Sequence, residues 1–323
     1  MIAIPYKSKQ FFFVLIKLAI VMLAFGYMSH RLIHNSPAEL YNLKDIYNYD
    51  ILGLSVFISS LVILSCFNWC FEIAKWKLLV APFKKIQLEE SFKQCLASLT
   101  ASIFTPNRIG EYGAKALFFV SKDRKRIVFA NFIGNMLQLT TTMLFGSIGL
   151  FFFTKQKDNL VDTNGLIYII PTLLFSMAIA HLLWKQNRIH SIISFKKKLK
   201  KLYGHYPKNI LWKTLLFCSA RYAIFSFQFY VILYALGANI DYWSAMTSIT
   251  TLYLVTSIIP NMVLLDVVVK GGAAIYLFSI WGVDELTILS SVTIMWLFNF
   301  VIPSIVGSFF VLNFKLKKGY ASS

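Results

Sequence analysis

Two stretches of this chain place a proline, an asparagine, an acid and a lysine in the same order inside otherwise apolar sequence. The first holds Pro106, Asn107, Arg108, Gly110, Glu111 and Lys115. The second holds Pro260, Asn261, Asp266 and Lys270. In each, the acid precedes the lysine by four residues, the spacing at which helical side chains meet and pair. A charge at bilayer depth costs about 2.5–3.5 kcal/mol on insertion scales, so such groups line a cavity or pair with one another. Two readings follow: a substrate or proton site, or structural ion pairs that lock a turn.

The prolines add a second constraint. Each removes a helical hydrogen bond and clashes with the preceding turn, so each breaks its helix. The start of the second half-helix then presents backbone N–H groups, and with the helix dipole these favour an anion. Gly110 and Gly113 allow close approach of a ligand or another backbone. Arg108 supplies a planar fork suited to phosphate. The expectation is a phosphate-bearing group near the first break, with Glu111 and Asp266 facing a common cavity.

The elements that must position these residues are membrane helices. The 323 residues are 57% hydrophobic and only 14% charged, where a soluble domain carries about a quarter charged residues. Apolar runs at about 11–29, 51–74, 127–153, 165–184, 211–236 and 286–312 are long enough to cross a hydrocarbon core of about 30 Å. The first of these reads as an uncleaved transmembrane helix rather than a signal peptide, because it is long and no small-residue cleavage site follows. The regions 88–121 and 243–283 are the two interrupted by proline.

The net charge of +18 sits in short connections between apolar runs, which fits cytoplasmic loops that attract anionic lipid and does not fit nucleic acid binding. Lys84 and Lys85, then Lys122 and Arg124 to Arg126, then Lys196 to Lys198, mark the basic connections. With those inside, both termini are cytoplasmic in a bacterial inner membrane. The 88–121 region then enters and leaves from the cytoplasm, and the 243–283 region from the opposite side. The expected fold is all-α: a polytopic membrane helix bundle of six full spans plus two opposed re-entrant helical hairpins. They form an inverted repeat, with units near 51–153 and 211–312 joined by the 165–184 span, and broken helices at the midplane are a recurring transporter arrangement.

Further polar residues recur within the spans. Asn131, Asn135, Gln138 and Thr142 share one helix face, which either packs by hydrogen bonds or lines an aqueous path. Arg221 and Gln228 share a face of the 211–236 span, and Arg221 needs a partner or a water-filled cavity. Asn299 and Pro303 mark a further kink. Trp69, Lys75, Trp76 and Lys77 read as boundary anchors, with Glu72 the exception that can pair. The four cysteines read as small buried residues and the five histidines form no ligand-spaced cluster, so no metal or cofactor is expected. No nucleotide-binding or hydrolase motif is found.

The stretch TPNRIGEYGAKALFF, from Thr105 to Phe119, resembles the P-x-R-x-G-E motif of the lysylphosphatidylglycerol synthase transmembrane-region family of flippase-like proteins. The stretch from Asn68 to Leu79 is similar to the end of that family's second span, and Ser257 to Phe278 to its second proline motif. The resemblance covers nearly the whole chain. It implies an integral membrane protein that moves lipid-linked substrates, with membrane lipids as partners and without the soluble aminoacyl-transfer domain of bifunctional members. It carries a binding role to Pro106, Arg108, Gly110 and Glu111, and to Pro260, Asp266, Lys270 and Gly271. Lys115 and Lys270 stand where arginine is common in the family, and Asp266 where glutamate is. Two other classes stay open: a membrane lipid- or glycosyl-transferase using Glu111 or Asp266 as base, and a scaffold in envelope synthesis.

Overall fold

The fold is that of a computed structural model, which describes residues 51–103, 105, 108–156, 206–259 and 266–314. The expected spans at 11–29 and 165–184, the loop lysines 196–198 and the residues Pro106, Asn107, Pro260 and Asn261 lie outside those residues. Among the described residues the structure is all helical, with no strand. There are eight helices: α1 Ile51–Val80, α2 Leu88–Ser102, α3 Ile109–Leu117, α4 Arg124–Gln156, α5 Lys208–Ala235, α6 Tyr242–Ile258, α7 Asp266–Ser279 and α8 Glu285–Leu312.

Four of these, α1, α4, α5 and α8, are 28 to 33 residues long and apolar enough to cross a membrane. At about 1.5 Å per residue each exceeds a hydrocarbon core of about 30 Å. Their outer faces carry exposed apolar side chains, among them Ile63 and Phe67 on α1, Leu144 and Ile148 on α4, and Ile305 and Phe309 on α8. Such continuous apolar faces suit hydrocarbon and would not suit water. Cys66 and Cys70 sit on that exterior, so the burial expected of all four cysteines holds only for Cys95 and Cys218.

The two proline-bearing regions are each broken in two. The first gives α2 and α3, which pack on one another, and the second gives α6 and α7, which do the same. Local chemistry fixes the ends. Asp241 accepts the Ser244 N–H at 2.9 Å to start α6, and Asp284 accepts the Thr287 N–H at 3.0 Å to start α8. Thr247, Ser248, Thr251 and Thr256 return their hydroxyls to carbonyls one turn earlier, which keeps α6 polar groups satisfied without water.

The helix contacts form a regular set. α1 packs along α5; α4 packs on α6, and the end of α8 packs on α2. α3 lies on α4 and α7 on α8, while α1 meets α2 and α4 as α5 meets α6 and α8. Exchanging α1–α4 with α5–α8 returns the same pairs. Two apolar cores form, each drawn mainly from one set of four helices, with Leu61 of α1 and Phe153 of α4 joining the second. Trp76, Leu79, Leu99, Phe119 and Ile127 fill one, and Ile249, Leu252, Ala274, Phe278 and Ile288 fill the other.

Small residues permit both span-to-half-helix contacts. A Cβ on Gly149 of α4 would lie 1.8 Å from Thr250 Oγ1 and 3.2 Å from the Thr247 carbonyl on α6. A Cβ on Gly307 of α8 would lie 2.2 Å from the Leu96 carbonyl on α2. Thr100 Oγ1 donates across that second contact to the Ser304 carbonyl at 2.8 Å. Backbones this close gain dispersion and interhelical hydrogen bonds that larger residues would forfeit.

The kink expected at Asn299 and Pro303 is present as a π turn over Leu297–Val301. Pro303 has no N–H to offer the Asn299 carbonyl four residues earlier, and that carbonyl accepts from Trp69 Nε1 at 3.2 Å instead.

Gly307→Ala should lower the midpoint of thermal unfolding in detergent, because overpacking at a tight contact costs about 1–3 kcal/mol. Gly113→Ala, whose Cβ would meet nothing within 4 Å, should not lower it. Equal behaviour of the two variants would mean that the α8–α2 contact is not tight.

Candidate functional site

The site begins with Glu72, buried on α1. Its carboxylate pairs with Lys75 Nζ at 2.5 Å on the same helix, with Arg221 of α5, and at 3.8 Å with Lys115 of α3. Lys115 is only 2% exposed. It donates to Glu111 at 2.7 Å and to Asn131 of α4 at 2.9 Å, and stands 4.3 Å from the centre of the Trp76 ring. Glu111 also forms an ion pair with Arg108 at 3.0 Å. One network thus joins the first half-helix break to three spans. A buried ammonium is tolerable only with such compensation from carboxylate, amide and aromatic face.

The network continues through amides. Arg221 Nε donates to Asn68 at 2.9 Å, Asn68 donates to Asn299 at 2.9 Å, and Asn299 donates to Gln228 at 2.9 Å. Gln228 donates to Ser65 at 2.9 Å and to the Leu61 carbonyl at 3.1 Å. Trp69, Lys75 and Trp76 are therefore not boundary anchors. They are buried, and Trp76 donates its indole N–H to Gln94 at 2.7 Å. The pairing expected of Glu72 is present, and Lys77 alone of that group is exposed.

Beside the network lies an open cavity of about 280 Å³. Arg108 reaches it from the first break, Asp266 and Lys270 from the second, and Arg221 and Asn68 from the spans. Asp266 and Lys270 pair at 2.6 Å, with the ammonium 5.6 Å from the Phe300 ring centre and 5.9 Å from that of Phe225. Four buried polar atoms on its walls have no hydrogen-bond partner: Arg108 Nε, Gln138 Oε1, Tyr222 OH and Tyr253 OH. Orphaned polar atoms in a membrane interior are costly, and a polar ligand or water in the cavity would relieve them.

Backbone geometry aims Arg108. It is the one non-glycine among the described residues at positive φ, with φ 56° and ψ 31°, and it caps α3. A left-handed residue with a side chain costs about 1–2 kcal/mol. Strain of this kind collects at ligand clamps. Gly110 behind it has no room for a Cβ, which would lie 2.6 Å from the Ala101 carbonyl.

Several expectations are corrected. Glu111 and Asp266 do not share the cavity; Asp266 lines it, while Glu111 stands behind Arg108. Gly110 and Lys115 also stand off it. The Gly110 N–H is not free for an anion, because Thr105 Oγ1 accepts it at 2.9 Å. The stripe on α4 divides: Asn131 holds Lys115, Asn135 donates to Tyr112 at 2.8 Å, and Gln138 and Thr142 line the cavity. Gln228 is wholly buried among its amide partners. Tyr222, Phe225 and Tyr253 went unforeseen. Phe225 lies one turn on from Arg221 and shares its face, so that face carried a signal for Phe225 but not for Tyr222 or Tyr253.

Long apolar helices paired with broken half-helices around a charged interior define a multi-pass membrane protein. Residues 14–307 match the family described as lysylphosphatidylglycerol synthase TM region, and the chain belongs to that family. Neither a curated protein nor a solved structure matches the chain.

Removing one partner of a buried ion pair costs about 3–5 kcal/mol. Glu72→Gln should therefore strongly lower the unfolding midpoint in detergent. Adding Arg221→Met to it should cost less than the two single losses combined, and strict additivity would mean the pair is not coupled.

Proposed function

We propose that the protein translocates a phosphate-bearing lipid, a phospholipid or polyprenyl-linked substrate, across a bacterial inner membrane. The observation that carries this is the cavity where Arg108, Arg221 and Lys270 converge from both breaks and a span. Guanidinium and ammonium groups in a low-dielectric interior recognise phosphate strongly. Family membership supports lipid as the partner class.

The half-helices support re-entrant hairpins. α2, α3, α6 and α7 hold 15, 9, 17 and 14 residues, about 14–26 Å long, each short of a core of about 30 Å. Lys84 and Lys85 precede α2, and Lys122 with Arg124, Lys125 and Arg126 at the start of α4 follows α3, whereas 237–241 and 280–284 contain no lysine or arginine. Opposite charge at the two pairs favours entry from opposite sides, with the N- and C-termini cytoplasmic. The exchangeable helix contacts support an inverted repeat, units near 51–153 and 211–312, that rocks about the cavity. Asp266 on the cavity wall is held by Lys270, which suits a charged binding surface better than a catalytic base, and Glu111 is enclosed behind Arg108.

Vesicles carrying the purified protein and headgroup-labelled phosphatidylglycerol test the reading. Wild-type protein should move the lipid faster than protein-free vesicles, without change of lipid mass. Arg108→Ala and Lys270→Ala, if correctly folded, should each slow movement about tenfold, the effect of losing one charge-assisted contact of about 1.4 kcal/mol. A lipid of altered mass would assign the protein to the transferases instead, and no movement of phospholipid or polyprenyl phosphate would sink the proposal.

A further inference from the structure

We infer that the cavity is matched to a group with two negative charges, a terminal phosphate or a diphosphate, in preference to a singly charged phosphodiester. This rests on the reading of the cavity as a headgroup site.

The charge balance of the network carries the inference. Among the described residues, four cations, Lys75, Arg108, Lys115 and Arg221, are joined to two carboxylates, Glu72 and Glu111. The excess is two positive charges. The neighbouring pair of Lys270 and Asp266 is neutral and does not change it. Residues 103–107 and 259–265, which connect the half-helices, contain no charged side chain.

That excess reaches the cavity at two points. Arg108 and Arg221 are the network cations on its wall, with side chains 36% and 19% exposed, while Lys75 and Lys115 are enclosed. Arg221 spends its Nε N–H on Asn68 and one Nη1 N–H on Glu72, which leaves the Nη2 group unspent. Uncompensated charge in a membrane interior is costly, and a doubly charged ligand cancels it where a phosphodiester leaves one charge standing.

Donor count points the same way. Arg108 Nε and the hydroxyls of Tyr222 and Tyr253 are buried without partners on this wall. A terminal phosphate offers three strong acceptor oxygens and close to two charges at neutral pH. A phosphodiester has one charge and only two unesterified oxygens. At about 280 Å³ the cavity holds a headgroup and not the chains behind it.

The full chain, purified in detergent, is titrated with phosphatidic acid, phosphatidylglycerol and phosphatidylethanolamine, and separately with inorganic phosphate. The pH is about 8, above the second phosphate pKa of about 6. Phosphatidic acid should bind about tenfold more tightly than phosphatidylglycerol, a difference of about 1.4 kcal/mol. Arg108→Gln, which removes one excess charge at the exposed tip, should erase most of that preference, and Tyr253→Phe should weaken phosphatidic acid more than phosphatidylglycerol. Equal affinity for the two lipids in wild-type protein overturns the inference while leaving lipid translocation standing. Binding of inorganic phosphate that needs Arg108, without binding of phosphatidic acid, upholds the double charge and removes the lipid.

Discussion

Glu72 is the constraint on which the rest of the described structure depends. One carboxylate on α1 is contacted by Lys75 of its own helix, Lys115 of the first broken pair and Arg221 of α5. Dispersion alone distinguishes poorly between one packing of apolar helices and another in a hydrocarbon solvent, because lipid tails offer similar contacts. Ionic partners at fixed heights do distinguish. With Glu72 set, α3 and α5 are held at one depth against α1, and the amide ladder through Asn68, Asn299 and Gln228 fixes α8 to the same level. The π turn at Leu297–Val301 belongs to this arrangement, since Pro303 beyond it has no N–H and leaves the Asn299 carbonyl to Trp69.

Much of the fold was legible in the chain because its signals are local. Hydropathy located the long helices, and proline marked both breaks and the distortion at Asn299. The four-residue spacing predicted the pairs Glu111–Lys115 and Asp266–Lys270, and both form. What stayed hidden depends on which helix face meets which neighbour. Tryptophan and lysine close to a span's end normally seek the interface, so Trp76 and Lys75 read as anchors. The partners that bury them, Gln94 on α2 and Glu72 with its distant cations, become neighbours only on folding. Likewise periodicity showed that Asn131 and Gln138 share a face, but not that α3 covers one and the cavity takes the other.

The two broken regions use one sequence pattern for different ends. In the first, the acid and lysine are enclosed, and they pair with Arg108 and join α3 to α1 and α4. In the second, the same pair stands on the cavity wall between Phe225 and Phe300. A matched sequence pattern therefore does not imply matched surroundings. The difference comes from the neighbours: Glu72 and Asn131 meet the first lysine, while aromatic rings meet the second.

Placement of Arg108 draws these observations together. Its left-handed backbone is costly, and a strained residue persists only where its surroundings over-determine it. Three constraints do so here. Gly110 packs its backbone against the Ala101 carbonyl, Thr105 takes the Gly110 N–H, and Glu111 holds the guanidinium. Glu111 is in turn fixed by Lys115, which Asn131 and the Trp76 ring hold still. A flexible arginine at a loop tip would lose conformational entropy on meeting a ligand, and the ligand's binding energy would be reduced by that loss. An arginine already fixed by a buried network has lost that entropy on folding. The charged interior thus sets the helices in depth and also presents a rigid cation to the cavity.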